Sequence, residues 1–144
     1  MKLLYTDEEN SHLTYEFFMK IAEAVFDYLN NKENQYEISL LITNDETIHL
    51  LNKEYRQKDK PTDVLSFPME DDIMLGDIVI SLDTAKKQAL ERDINVDREV
   101  AFLFIHGLLH LLGYDHETSA EDEKEMFALQ EEILKKLIDY KVVS

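Results

Sequence analysis

Cysteine is absent from the 144 residues. Neither a disulfide nor a thiolate metal site can form, and an intracellular address fits that absence. No stretch approaches the roughly 18 consecutive apolar residues of a membrane span. The opening Met1-Lys2-Leu3-Leu4-Tyr5 runs at once into Asp7, Glu8 and Glu9, unlike a secretory signal. Positive charge is scarce: 15 Lys and Arg against 31 Asp and Glu give a formal net charge of -16. That balance excludes a protein that grips long nucleic acid with its whole surface, and it confines any such contact to a local basic region. Internal repeats, low-complexity tracts and linkers are also missing. With 44% apolar and 32% charged residues, the chain reads as a single globular domain, 1–144, with one core.

What is present alternates between two periodicities. Lys2 to Tyr5 suits a short strand. Residues 13–30 predict an amphipathic helix, because Phe18, Ile21, Ala22, Val25 and Leu29 follow the i, i+3, i+4 rhythm and Asn30-Asn31 can close it. Tyr36, Ile38, Leu40 and Ile42 alternate with mostly polar residues, as in a half-buried strand. Asn44 or Asp45 caps a second helix to about Tyr55, with Ile48, Leu51 and Tyr55 inward. Residues 56–63 carry no apolar rhythm. They hold Pro61, one of two prolines, which pushes Lys60 toward an extended conformation and makes a shaped loop. Val64 to Phe67 and Asp77 to Ile80 read as strands, joined by an acidic connection, and Ser81 or Asp83 caps a helix to about Arg92.

The next helix, over about 98–112, is apolar on nearly every side, which places it in the middle of the domain. Asp97 and Glu99 near its start suit the helix dipole. Thr118 with Glu121 forms a capping box for a last helix to about Asp139, whose core stripe is Met126, Leu129, Ile133 and Leu137. Strands before Ser81 and consecutive helices after it predict an α+β fold: a small mixed sheet packed with helices, the apolar helix central.

That central helix carries His106-Gly107-Leu108-Leu109-His110-Leu111-Leu112-Gly113-Tyr114-Asp115-His116, which is H-x-x-x-H-x-x-G-x-x-H. His106 and His110, one turn apart, share a face with Cβ atoms roughly 5–6 Å apart. Two imidazoles so placed can reach one ion at a Zn–N distance of about 2.0–2.1 Å. Gly113 offers the left-handed residue that commonly ends a helix, and a reversal there returns His116 over the same face. Three neutral nitrogens with a fourth position open is the arrangement of a catalytic site. The bland alternative is a pair of hydrogen-bonded core histidines with a third in a surface turn. The spacing is also that of metzincin proteases, whose general base follows the first histidine. Here that position is Gly107, which cannot take a proton. A structural ion closed by a fourth ligand is another reading. Asp115 could be that ligand, an orienting partner, an acid/base group, or a turn residue bonding its own backbone.

A second candidate region is Lys53 to Lys60, with Lys53, Arg56, Lys58 and Lys60 against Glu54 and Asp59. It reads either as a solvated helix end and loop or as a phosphate contact, since the Arg56 guanidinium binds phosphate through paired hydrogen bonds. A metal site plus an arginine clamp is sufficient equipment for phosphodiester hydrolysis.

The histidine stretch, together with Asn52 to Pro68 and Gly76-Asp77-Ile78-Val79-Ile80-Ser81, resembles the YbeY endoribonucleases, bacterial factors for ribosomal RNA maturation. The resemblance spans about residues 36 to 138. It implies an α+β fold, a zinc-like ion on His106, His110 and His116, and metal-dependent cleavage of single-stranded RNA. It further implies roles in 3′-end processing of small-subunit ribosomal RNA and in ribosome quality control, with the family's functional arginine at Arg56. The expectation is a cytoplasmic endoribonuclease with one Zn2+ per chain. Arg56 stabilises phosphoryl charge, Lys53, Lys58 and Lys60 contact RNA, Asp63, Asp77 and Asp115 orient the ligands or act as acid/base groups, and for Asp63 and Asp77 a structural role is the other reading. The acidity suggests that the small ribosomal subunit or an associated protein delivers the strand. The alternatives are a peptidase-like zinc hydrolase using the same histidines, and a non-catalytic ribosome-assembly factor in which the metal only stiffens the helix end.

Overall fold

Period-two alternation yields the strands and the 3.6-residue rhythm yields the helices. The computed structural model describes residues 1–31, 35–69, 71, 73–114 and 119–144. In chain order they form β1 (Lys2–Asp7), α1 (Tyr15–Tyr28), β2 (Glu37–Thr43), α2 (Asp45–Arg56), β3 (Val64–Pro68), β4 (Met74–Ser81), α3 (Leu82–Arg92), α4 (Val96–Leu111) and α5 (Ala120–Asp139). The expected α+β architecture is observed. A four-stranded sheet in the order β1-β2-β4-β3 has three parallel strands and β3 antiparallel at the edge. No helix among the described residues is long and apolar enough to cross a membrane.

Local chemistry sets most helix starts, where backbone N–H groups lack partners within the helix. The side chains of Thr14, Asn44 and Ser81 accept from the N–H groups of Phe17, Thr47 and Thr84. The last helix departs from the expected capping box. Thr118 lies outside the described residues, and the Ser119 hydroxyl accepts from the Asp122 N–H at 3.1 Å. β4 begins three residues before the expected Asp77, because Met74 and Gly76 find partners at Glu37, Ile38 and Pro68. That extension comes from pairing with neighbours and has no alternation of its own to announce it.

Alternation sends the sheet's side chains to two faces. Ile38, Leu40, Ile42, Ile78 and Ile80 join Phe18, Ile21 and Val25 of α1 and Val100, Phe104, Ile105 and Leu108 of α4 in the main core. Phe18 and Phe104 meet edge to face, with centroids 5.1 Å apart. On the opposite face α2 contributes Ile48 to a small cluster with Leu65 and Val79. Two expected stripes are rotated. Tyr55 is 60% exposed rather than inward, and Asn52 is buried in its place. In α5, Gln130 faces inward and Leu129 is half-buried. Both inward polar residues find a partner inside the fold, which lets packing override the apolar rhythm.

α4 lies against α1, α3, α5, β3 and β4. Its close approach to the sheet depends on Gly107, where a Cβ would stand 3.0 Å from Ile78 Cγ2. Two residues earlier in β4, a Cβ on Gly76 (φ +145°) would run into the Phe67 carbonyl oxygen. Gly76→Ala should therefore destabilise by about 3 kcal/mol or more, through backbone strain and loss of the β3–β4 edge. Gly113→Ala meets nothing within 4 Å and should lose only the roughly 1–2 kcal/mol of its positive φ. Urea unfolding midpoints of the two variants test this ordering, and equal losses would show that the sheet edge accommodates the methyl.

Candidate functional site

Glu99 and His106 stand seven positions apart on α4. Glu99, Phe102, Leu103, His106 and His110 fall three or four apart and so share one stripe. The His106 and His110 rings lie 6.4 Å apart between centroids and 27° from parallel. Both are half-buried, while Ile105, Leu108 and Leu109 beside them are fully buried. The imidazoles thus project from a backbone clamped by its core. From α5, the Gln130 amide nitrogen approaches His106 Nδ1 at 2.8 Å, and Gln130 is only 4% exposed. A half-turn of the amide exchanges its oxygen and nitrogen at that position. With the oxygen toward the ring, Nδ1–H donates and Nε2 presents its lone pair, the tautomer a metal requires.

The helix closes as the glycine predicted. The Gly113 N–H donates to the His110 carbonyl at 3.1 Å and the Tyr114 N–H to the Leu109 carbonyl at 3.0 Å. This is the paired closure that uses a positive-φ residue, here Gly113 at φ +100°. His116 and Asp115, the remaining motif residues, lie outside the described residues. Among the described residues no three histidine or carboxylate groups gather at metal-holding distance. Two of the three expected nitrogen donors are described, and their chemistry, two imidazoles one turn apart with one tautomer-selecting amide, fits a zinc-like ion.

His106 opens onto a cavity of about 270 Å³ lined by Asp63, Val64, Gln88, Arg92, Phe102 and Leu103. Asp63 is thus brought to the histidine. Its carboxylate accepts from the Val64 N–H at 2.7 Å and from the Thr62 hydroxyl at 3.4 Å. Asp77 is not. Gly76 and Ile78 point toward α4, so period two sends Asp77 to the α2 side, where it borders a cavity of about 420 Å³ with Ser39, Tyr55 and Phe67. The expectation that Asp77 supports the histidines is corrected on that ground.

Arg56 is exposed at the last turn of α2, and Lys53, Lys58 and Lys60 are exposed around it. The loop they share is shaped by Asn52. Its carbonyl accepts from the Lys58 N–H at 3.2 Å and its Nδ2 donates to the Lys60 carbonyl at 2.9 Å. His49 Nε2 donates to Asp59 at 2.7 Å across the same loop. Arg56 does not line the cavity onto which His106 opens, and the chain leads from Arg56 through Pro61 and Thr62 to Asp63, which does.

Sequence reasoning missed three participants. Gln130 sits four residues after Met126 and three before Ile133, so a polar side chain at a core-facing position was its available signal. Glu99 was read as a dipole partner, yet it is fully buried and bonded to Arg92 and Gln88. Asn52, likewise at an inward position, carried no signal separable from an ordinary helix residue.

An α+β fold with a buried central helix that presents a histidine pair, of which His106 opens onto a cavity walled by α3, α4 and β3, defines the class of protein. Residues 4–138 match the family model described as Endoribonuclease YbeY, and the chain belongs to that family. It is 47% identical over 140 residues to the Endoribonuclease YbeY of Sulfurihydrogenibium sp. strain YO3AOP1, covering 94% of this chain and 91% of that protein. To that of Nautilia profundicola it is 53% identical over 125 residues, covering 85% of each. The solution structure of TM1509 from Thermotoga maritima is similar with a TM-score of 0.69 at 25% identity, covering 96% of this chain and 91% of that one.

The His49–Asp59 contact carries a pH signature. The hydrogen bond from His49, and then the charge of Lys53, hold the Asp59 carboxyl below the ordinary carboxylate range. A lowered pKa means the contact is fully present above the ordinary value of about 3.9 and is lost as pH falls through the lower folded value. Amide resonances of Lys58 and Lys60 should therefore shift together below about pH 4, and Asp59→Asn should abolish that step. A step that persists in Asp59→Asn would assign it to another carboxylate.

Proposed function

We propose that this chain is an endoribonuclease that cuts single-stranded ribosomal RNA with the help of a zinc-like ion held by His106, His110 and His116. The observation that carries the reading is the histidine pair on a buried helix with Gln130 bonded to His106 Nδ1. Such an ion, when bound, polarises a phosphoryl oxygen and lowers the pKa of water. The chain's own residues do the rest. Gln130 holds the His106 ring in one tautomer, the α4 core fixes both rings, and Arg56 neutralises charge that develops on the phosphate. The 53–60 segment, with Lys53, Lys58 and Lys60, meets the strand. Asp115 remains a candidate for orienting a ligand or moving a proton.

The net charge of -16 favours delivery over capture. Few phosphates can be neutralised at once, so the small ribosomal subunit or an associated assembly protein presents the strand. Maturation of the 3′ end of small-subunit ribosomal RNA, ribosome quality control and a cytoplasmic setting belong to this reading. The peptidase alternative is disfavoured by packing, because the residue that would supply its base is Gly107 and a side chain there runs into Ile78.

Single-turnover cleavage of a defined RNA, single-stranded and duplex, tests the proposal. Zinc-loaded protein should cut the single strand, chelated protein and His110→Ala should not, and the duplex should resist. Unchanged cleavage after metal removal would sink the metal role, and no cleavage of any RNA would favour the assembly-factor alternative. Gln130→Leu should keep the fold while weakening zinc affinity by roughly 10–100-fold, the usual scale for losing a ligand's orienting partner. Zinc competition titrations read this without reference to activity.

Arg56→Ala should preserve fold and metal content while lowering kcat by roughly 10²–10³, and Arg56→Lys should recover only part of that loss. Wild-type rates in Arg56→Ala would return this residue to the solvated loop.

A further inference from the structure

Glu99 is fully buried near the start of α4, a position where an unpartnered carboxylate would be strongly unfavourable. Its Oε2 accepts from Gln88 Nε2 at 2.8 Å, and Arg92 Nη1 donates to Oε1 at 2.8 Å and to Oε2 at 3.2 Å. Arg92 therefore spends one nitrogen on this contact, where a structural arginine–carboxylate pair commonly uses two. Its Nη2 and Nε make no hydrogen bond to the described residues, and the side chain stays 55% exposed. The same side chain lines the cavity that holds His106.

We propose that Arg92 is a second phosphate-binding point for the RNA strand, with Glu99 and Gln88 as the positioning residues that hold it. This rests on the endoribonuclease reading. Glu99 and His106 are two turns apart on one stripe, about 10 Å along the helix axis at 1.5 Å per residue. A guanidinium anchored on Glu99 is thus displaced from the histidines and suits a phosphate neighbouring the one that is cut. The Arg92–Glu99 pair is neutral as a whole, so what Arg92 offers the cavity is the unused donor edge of its guanidinium, Nε and Nη2, with the charge of Glu99 held behind it inside the fold. Asp63 faces the same space, which keeps the attraction to a single contact. Past Arg92 the surface enters a larger cavity where Arg98 and Lys135 are matched by Glu131 and Glu132, so no further pull on phosphate continues there.

The test joins kinetics to binding with the zinc-loaded full chain. Arg92→Gln should raise KM about tenfold, the scale of one charge-assisted hydrogen bond, with kcat within about twofold. Affinity for a single-stranded DNA of the same sequence, which a ribonuclease leaves intact, should lose about 0.7 of its salt slope, one phosphate contact. Lys87→Gln, the same charge change on the exposed side of α3, should alter neither. In RNAs with one neutral methylphosphonate, wild type should lose about tenfold at a single position beside the cut. Arg92→Gln should lose nothing there, a coupling that a structural role would not produce. Because Arg92→Gln strands Glu99, the double variant Arg92→Gln/Glu99→Gln, with two amides in place of the pair, should show the same KM and slope. A kcat loss with unchanged KM and slope, or equal methylphosphonate penalties in wild type and double variant, would overturn the proposal. If wild type binds with the Arg92-dependent slope but cleaves no RNA, the nuclease reading fails and the phosphate site stands. Cleavage that is indifferent to Arg92 has the opposite meaning.

Discussion

Gly107 allows α4 to lie on β4 so closely that a single added carbon would stand 3.0 Å from Ile78. Interiors packed to crystal-like density do not absorb such an intrusion freely. The contact fixes the depth at which the central helix sits, and with it the height of His106 and His110 above the sheet. A glutamate at the position after the first histidine would have to displace the Ile78 side chain. The departure from the protease pattern, a glycine where the general base would stand, is therefore favoured by the core as well as written in the sequence. α1 and the parallel strands fill in around this contact, with Phe18 and Phe104 locking the helix from its far side.

Two buried polar residues tie the neighbouring helices to that axis. Gln130 joins α5 to His106, and Glu99 joins α3 to α4 through Gln88 and Arg92. Each occupies a position that a leucine would fill with less risk, since a buried polar group is favourable only when satisfied. Each bonds to a residue that lines the cavity beside His106, Gln130 to His106 itself and Glu99 to Gln88 and Arg92, and so holds one ring and one guanidinium in a fixed direction. Replacing a buried ion pair by apolar residues is often neutral for stability. The retention of these groups fits positioning better than it fits stabilisation.

Charge sets the terms on which the proposed substrate can be met. The net charge of -16 repels phosphate over most of the surface, and Lys53, Arg56, Lys58 and Lys60 form a local run of exposed cations on the last turn of α2 and the loop that Asn52 shapes. That loop runs directly into Asp63 and the cavity wall, so a strand contacting it is led toward the histidines. A site reached along one short basic edge in an acidic protein favours substrates held in place by another body, consistent with the delivery that the proposed function invokes.

The sequence by itself determined the order of the elements, the caps of α2 and α3 to within two candidates each, and the common face of His106 and His110. Each of these depends on residues within a few positions of one another, where helical and strand periodicity act directly. Only the tertiary structure decided which aspartate stands near the histidines. Asp63 and Asp77 looked alike in the chain, but strand parity and the stacking of α4 on one face of the sheet placed them on opposite sides. The inward turn of Gln130 rather than Leu129, the exposure of Tyr55 and the burial of Glu99 were decided in the same way. A polar residue on the edge of an apolar stripe turns inward only when another element brings it a partner, and that partner is fixed by packing across the chain.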